Sequence, residues 1–204
     1  MATESLSPSE RAARALKQLL DGNARYVRNA AIHPASRPSA APQSPLAVVL
    51  SCSDSRVAPE LIFDQGVGAL FVVRVAGNTY DRLACESIRF AVMKLGVALI
   101  IVIGHDSCGA VSAALEHYPA TGVGPLVENI YPAISAAKGG PGDPIDKTVR
   151  ANAIIVAERL AGEADFAAKV AARELMIVPA RYAMDSGEIE LLRNPEGRTH
   201  AGLR

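Results

Sequence analysis

The 204-residue sequence predicts an α/β fold, a central and mostly parallel β-sheet flanked by helices. Two observations carry this. From Leu46 onward, β-branched runs alternate with stretches of helical periodicity, as strands joined by crossover helices do. One run, Val97–Ile103 (VALIIVI), is apolar throughout, which fits a strand covered on both faces inside a parallel sheet.

The first element is a helix. Ser7-Pro8-Ser9-Glu10 combines an N-cap serine, proline at the first helical position and glutamate at the third, a capping box. Apolar residues recur through Ala13, Leu16, Leu19 and Leu20, and Gly22 reads as a stop or break. Residues 29–45 are rich in Pro, Ala and Ser and read as an extended arm. The chain therefore divides into a helix and arm (1–45) and an α/β domain (46–204). In that domain Leu46–Leu50 is a strand, Pro59–Phe63 a short helix and Leu70–Val75 a strand. Leu83–Leu95 is a helix with Ile88, Val92 and Leu95 on one side. Beyond VALIIVI, Gly109–Tyr118 reads as a helix, residues 139–144 (GGPGDP) as a loop and Thr148–Leu160 as an amphipathic helix. Leu175–Val178 is a further strand, and Gly187 turns the chain before Ile189–Leu192.

Composition excludes several function classes. With 21 basic and 21 acidic residues the chain has no electrostatic footprint for nucleic acid, and its neutrality tolerates self-association. No apolar stretch approaches the roughly 20 residues of a membrane helix. The polar, acid-containing start, MATESLSPSE, predicts no targeting segment, so a cytoplasmic protein is expected. Three cysteines without an export signal fit a reducing compartment, where the default thiol is a small buried hydrophobe.

Ligand sites of open α/β sheets lie outside the carboxyl ends of the strands. Two strands here end in reactive residues. SCSDSRVAPE (51–60) supplies Cys52, Asp54 and Arg56; GHDSCGA (104–110) supplies His105 and Cys108. If the two strands are neighbours, two thiolates and an imidazole meet at one edge. That donor set suits zinc, with a fourth position left for water or another ligand. A cysteine hydrolase using His105 as base leaves Cys108 without a role. A closed structural zinc site wants a fourth Cys or His, and Cys85 falls mid-helix.

The C-x-D-x-R and H-x-x-C-G motifs, with LFVVRVAGN (Leu70–Asn78) between them, resemble the β-class carbonic anhydrases. The likeness runs from Asp21-Gly22-Asn23-Ala24-Arg25-Tyr26 to RYAMDSGEIELL (Arg181–Leu192), most of the chain. The resemblance implies one Zn2+ per subunit on Cys52, His105 and Cys108, with Asp54 and Arg56 as a catalytic dyad. It implies substrate-binding roles for Gln43, which would hydrogen-bond bicarbonate, for Phe71 and Phe90, which would line the CO2 pocket, and for Gly109, whose backbone would lie close to substrate. The implied reaction is the reversible hydration of carbon dioxide to bicarbonate and a proton, by attack of hydroxide generated at zinc. Zinc with two thiolates is formally neutral and acidifies water less than a tris-histidine site, so a proton acceptor such as Asp54 helps. The resemblance also implies a homodimer or dimer-based higher homo-oligomer, with the N-terminal helix and arm packing on the partner subunit. A closed state, with Asp54 swung onto the metal as pH falls, is a further expectation.

Some positions depart from the family pattern. Ala69 stands where an acidic residue is common, Phe90 where tyrosine is frequent, and Arg89 where an uncharged or acidic residue is usual. The chain has no tryptophan, and Val49 occupies the place of one that some members use to bind inhibitory bicarbonate, so cooperative inhibition by bicarbonate is not expected. Two other functions fit the same scaffold. One is a zinc hydrolase of a linear CO2 analogue such as carbonyl sulfide or carbon disulfide. The other is a non-catalytic zinc-binding regulatory relative, against which the intact Asp54 and Arg56 weigh.

Overall fold

The computed structural model describes residues 6–32 and 40–192. Five strands form one sheet in the order β2-β1-β3-β4-β5: β1 (Ala47–Ser51), β2 (Leu70–Arg74), β3 (Leu99–His105), β4 (Met176–Tyr182) and β5 (Ile189–Leu191). All pairings are parallel except β4 with β5, so the sheet is mostly parallel as the sequence predicts. The helices are α1 (Pro8–Val27), α2 (Pro59–Ile62), α3 (Arg82–Lys94), α4 (Gly109–His117), α5 (Pro125–Glu128), α6 (Tyr131–Ala136), α7 (Pro144–Gly162) and α8 (Ala164–Ala171). No helix among the described residues is long and apolar enough to cross a membrane.

The alternation of side chains along β1 and β3 sorts the core into two faces. Val49, Leu99, Ile101 and Ile103 pack with Ala12, Ala15, Leu16 and Leu19 of α1. Val48, Leu50, Ile100 and Val102 point the other way, into Ile88 and Val92 of α3, Val156 and Leu160 of α7 and Phe166 of α8. Each fully buried side chain of this size contributes roughly 1.5–3 kcal/mol relative to an exposed one. With both faces covered, β1 and β3 have no solvated side, which is why they read as continuous apolar runs.

The capping box at Ser7 and Glu10 is present. The helix it starts runs further than expected, to Val27, and its buried stripe uses Ala12 and Ala15 rather than Ala13. Gly22 does not stop it. A Cβ there would sit 1.8 Å from the carbonyl oxygen of Phe63, so glycine lets α1 lie directly on the α2 turn. At the next residue, buried Asn23 donates to the carbonyls of Ile62 and Gly187 and accepts from the amide of Ile189, stitching α1 to the far end of the chain. The apolar stripe of α1 is thus spent on its own sheet, and α1 shares one core with the strands across residue 45.

Other differences have local causes. Strand β4 continues through Pro179 to Tyr182, beyond the expected end at Val178. The carbonyl of Pro179 accepts from the amide of Leu192, so its nitrogen faces the short β5 side and the ladder to β3 loses no bond. Strand β3 likewise runs two residues past Ile103, making His105 its last residue. The short helices α5, α6 and α8 were not foreseen; the first two are a turn or so long and carry little periodicity.

Candidate metal centre

Register brings the two reactive strand ends together. Ser51 of β1 pairs with Ile103 of β3, so Cys52, one residue on, emerges beside the level of Gly104 and His105. Gly104 has to be small: a Cβ there would approach Val149 of α7 to 2.8 Å. After His105 the chain turns through Asp106 and Ser107, the latter at φ +50°, and returns Cys108 toward the strand edge as the cap of α4. The sulfurs of Cys52 and Cys108 lie 4.0 Å apart. With a nitrogen of His105 they form a buried triad whose donor atoms all lie within 4.8 Å of one another.

The donors around these atoms fit a metal. Tetrahedral zinc, with bonds of about 2.3 Å to sulfur and about 2.0 Å to nitrogen, sets donor separations of roughly 3.5–3.8 Å. The Nδ1 of His105 lies 2.8 Å from the carbonyl oxygen of Asp106, while the buried Nε2 has no protein hydrogen-bond partner among the described residues. The Cys52 sulfur accepts from the amides of Gly77 (3.2 Å) and Asp54 (3.4 Å). In the metal-free pair Cys52 is held well below the usual thiol range, chiefly because Cys108 donates to it; burial opposes this, and His105 and the two amides add to it. Cys108 is pushed the opposite way by giving that hydrogen bond and by burial. Cys52 is therefore the more readily ionised of the two thiols, and a soft cation would replace the thiol proton of Cys108.

Asp54 and Arg56 sit at the open side of this triad. Arg56 donates from Nε to Oδ1 (3.0 Å) and from Nη2 to Oδ2 (2.8 Å), and its backbone amide also reaches Oδ1 (2.9 Å). This clamp, led by the guanidinium hydrogen bonds, holds the Asp54 carboxyl well below the usual carboxylate range. Oδ2 stands 4.0 Å from His105 Nε2.

The comparisons agree with this geometry. The family model described as carbonic anhydrase matches residues 47–189. Carbonic anhydrase 2 of Mycobacterium tuberculosis is 37% identical over 195 residues, covering 90% of this chain and 94% of that one. A carbonic anhydrase of Mycolicibacterium smegmatis is 38% identical over 209 residues, 96% and 97% of the two chains. The solved β-carbonic anhydrase CcaA superposes with a TM-score of 0.67 at 25% identity, over 79% of this chain and 85% of its own. The Coccomyxa β-carbonic anhydrase in complex with acetazolamide gives 0.65 at 25% identity, over 93% and 87%. The chain belongs to the β-class carbonic anhydrases.

Within this carbonic anhydrase the remaining predicted residues are dispersed. Gln43 is exposed on the segment leading into β1. Phe71 of the edge strand β2 and Phe90 of α3 face each other with ring centroids 6.4 Å apart, and Phe90 is 49% exposed, so it is not an ordinary core residue in the single chain. Gly109 opens α4, where an added Cβ would meet nothing within 4 Å. Sequence reasoning missed the residues that hold the β1 loop. Arg74, the last residue of β2, donates to the carbonyls of Cys52 (3.0 Å) and Asp54 (2.5 Å). Asn152 of α7 donates to the carbonyl of Gly77 (2.8 Å), whose amide serves Cys52. Arg74 had a faint signal as the charged end of an apolar run; Asn152, inside a helix, had none.

Proposed function

We propose that the chain catalyses the reversible hydration of carbon dioxide to bicarbonate and a proton, with Cys52, His105 and Cys108 holding one zinc ion and Asp54 and Arg56 acting beside it. The observation that carries this reading is one strand edge where three buried soft donors converge and a clamped carboxylate stands 4.0 Å from the histidine nitrogen. When bound, zinc supplies Lewis acidity that lowers the proton affinity of a water molecule at its open position.

The chain's own residues do the rest. The amides of Asp54 and Gly77 keep the Cys52 sulfur anionic. Arg56 engages both Asp54 oxygens and so keeps the carboxylate charged and fixed beside the three donors. A carboxylate held that low is a weak base; Oδ2 therefore orients the attacking water by accepting its hydrogen bond, and the proton leaves to buffer. Gly109, next to Cys108, has open space where a Cβ would stand, which leaves room for a small linear substrate.

The reading includes a second copy of the chain. Leu83 (79% exposed), Phe90 and Met93 form an apolar strip on the outer face of α3, beside Phe71 on the open edge of the sheet. In the dimer this strip is covered, α1 presents its outer face to the partner, and Gln43 with the two phenylalanines completes the neighbour's pocket; residues 33–39 of the expected arm lie outside the described residues. Stopped-flow CO2 hydration tests the proposal, run with and without a strong chelator beside a carbon disulfide assay. Chelator-sensitive hydration is expected. Carbon disulfide turnover without CO2 hydration, or neither activity in zinc-loaded protein, would overturn it.

A further inference from the structure

We propose that the Asp106–Arg181 ion pair is a positioning device for the metal-binding histidine, and that it fixes which nitrogen of His105 faces the two sulfurs. The inference rests on the zinc reading given above.

A neutral imidazole carries its proton on either ring nitrogen, and only the bare one can bind a metal. In His105 the choice is made by the next residue. A carbonyl oxygen can only accept, so the Nδ1 placed 2.8 Å from the Asp106 carbonyl has to be the donor, and Nε2 is left bare. The ring therefore follows the direction of one peptide group. That peptide lies in the Asp106–Ser107 turn, where Ser107 adopts φ +50°, a left-handed conformation that is unfavourable for a non-glycine residue. Something has to hold it there.

The Asp106 amide donates to the carbonyl of Tyr182 (3.3 Å) and Arg56 reaches the carbonyl of Ser107 (3.5 Å), and the Asp106 side chain adds the hold that ties this peptide to β4 and beyond. Its Oδ2 accepts from the amide of Met184 (3.2 Å), and Oδ1 lies 2.6 Å from Nη2 of Arg181. Register explains the reach: Arg181 of β4 pairs with Gly104 of β3 on one side and with Glu190 of β5 on the other. Its guanidinium is in turn fixed by Asp146 of α7, 2.6 Å from Nε, and by Glu190, 3.5 Å from Nη1. Arg150 closes the ring, 2.8 Å from Asp146 and bidentate to Glu190 at 2.7 and 2.8 Å. The chain of contacts thus runs from a helix and two strands through Arg181 to Asp106, and through the Asp106 carbonyl to His105. A brace that served only the fold would gain nothing by ending on the residue that orients a ligand. Neither Asp106 nor Arg181 touches the reacting atoms; both act through His105.

The test measures zinc affinity by competition with a chromophoric chelator, the visible spectrum of the cobalt(II)-substituted protein, and the melting midpoint of the metal-free form. Wild type is compared with Asp106→Asn, Arg181→Met, Arg181→Lys and Arg150→Met. Asp106→Asn and Arg181→Met are expected to bind zinc about 10- to 100-fold more weakly and to shift the cobalt bands, the range found when outer hydrogen-bond partners of metal ligands are removed. Arg181→Lys should recover part of the loss, and Arg150→Met, one contact further from Asp106, should lose less than Arg181→Met. Folded Asp106→Asn and Arg181→Met proteins with unchanged affinity and cobalt spectrum would overturn the inference, as would an equal loss in Arg150→Met. If Arg181→Met does not fold, the near-isosteric Asp106→Asn decides alone. Failure of the wild type to bind zinc would remove the function proposed above together with this inference; normal wild-type binding with unaffected variants removes this inference only.

Discussion

Cys52 and Cys85 are almost equally hidden from solvent, at 4% and 3% exposure, yet their surroundings push the two thiols in opposite directions. Cys85 lies on α3 among Ile88, Val92 and Leu160, and desolvation raises its pKa. Cys52 lies just past the end of β1, where the chain has left the sheet ladder and two amides, those of Gly77 and Asp54, are free to point at sulfur. A second thiol and an imidazole face it as well. Burial alone does not separate a ligand from a core residue. What separates them is whether the backbone around the sulfur has spent its donors on secondary structure.

The sharpest way to break that contrast is to remove each thiol in turn. Cys52→Ala should lose stoichiometric zinc and lower CO2 hydration by about a thousandfold or more, because without the ion no water is acidified. Cys85→Ala should keep its zinc. Metal analysis with stopped-flow hydration checks both, and a Cys52→Ala protein that retained zinc and full activity would refute the assignment. A smaller effect belongs to the carboxylate. Asp54→Asn should bind zinc normally while its hydration rate falls about a hundredfold, because the water loses the acceptor that orients it. Loss of zinc in that variant would instead make Asp54 a ligand.

Smaller still is the expected effect at the amide that supports Cys52. Gly77 has φ +66°, and an added Cβ would approach Ile130 Cδ1 to 3.0 Å and Ala110 Cβ to 3.1 Å. Gly77→Ala should therefore cost roughly 1–3 kcal/mol in denaturant unfolding, with weakened zinc binding. A stability change under about 0.5 kcal/mol would show that the turn yields easily and that the amide is not held in place.

The smallest effect is one of pH. Arg56 lowers the Asp54 pKa in the folded protein, so the pair's contribution to stability is complete above the ordinary aspartate value of about 3.9. It fades as pH falls through the lowered folded value. In metal-free protein, Arg56→Ala should melt about 1–2 °C below wild type at neutral pH, and the gap should close toward pH 2. A gap that widens on acidification would reverse the sign and exclude the clamp. Because Arg56 is more than half exposed, salt should shrink the difference.

Much of this was legible in one dimension. The capping box, the alternation of strands and helices and the apolar VALIIVI run depend on local sterics and on burial periodicity, and these leave their mark in adjacent residues. The three donors were legible because a soft thiolate or imidazole just past a core strand has few structural uses. Gly22 was misread because glycine has the same letter whether it ends a helix or admits a neighbour; the oxygen of Phe63 that requires it lies 41 positions away. The strand expected to stop at Val178 runs on through Pro179 to Tyr182, because which neighbour a residue's nitrogen faces is a property of the sheet.

The sequence by itself determined the donor set, the helix start and the apolar alternation, since each is written in side-chain chemistry at short range. Tertiary structure alone decided that β1 and β3 are neighbours and in which register, which set Cys52 and Cys108, 56 residues apart in sequence, 4.0 Å from each other. It also decided that Arg74 and Asn152 reach the loop around Cys52. Parallel pairing joins segments separated by whole helices, and the direction of an amide or carbonyl is fixed only once the chain is folded. No local pattern records either.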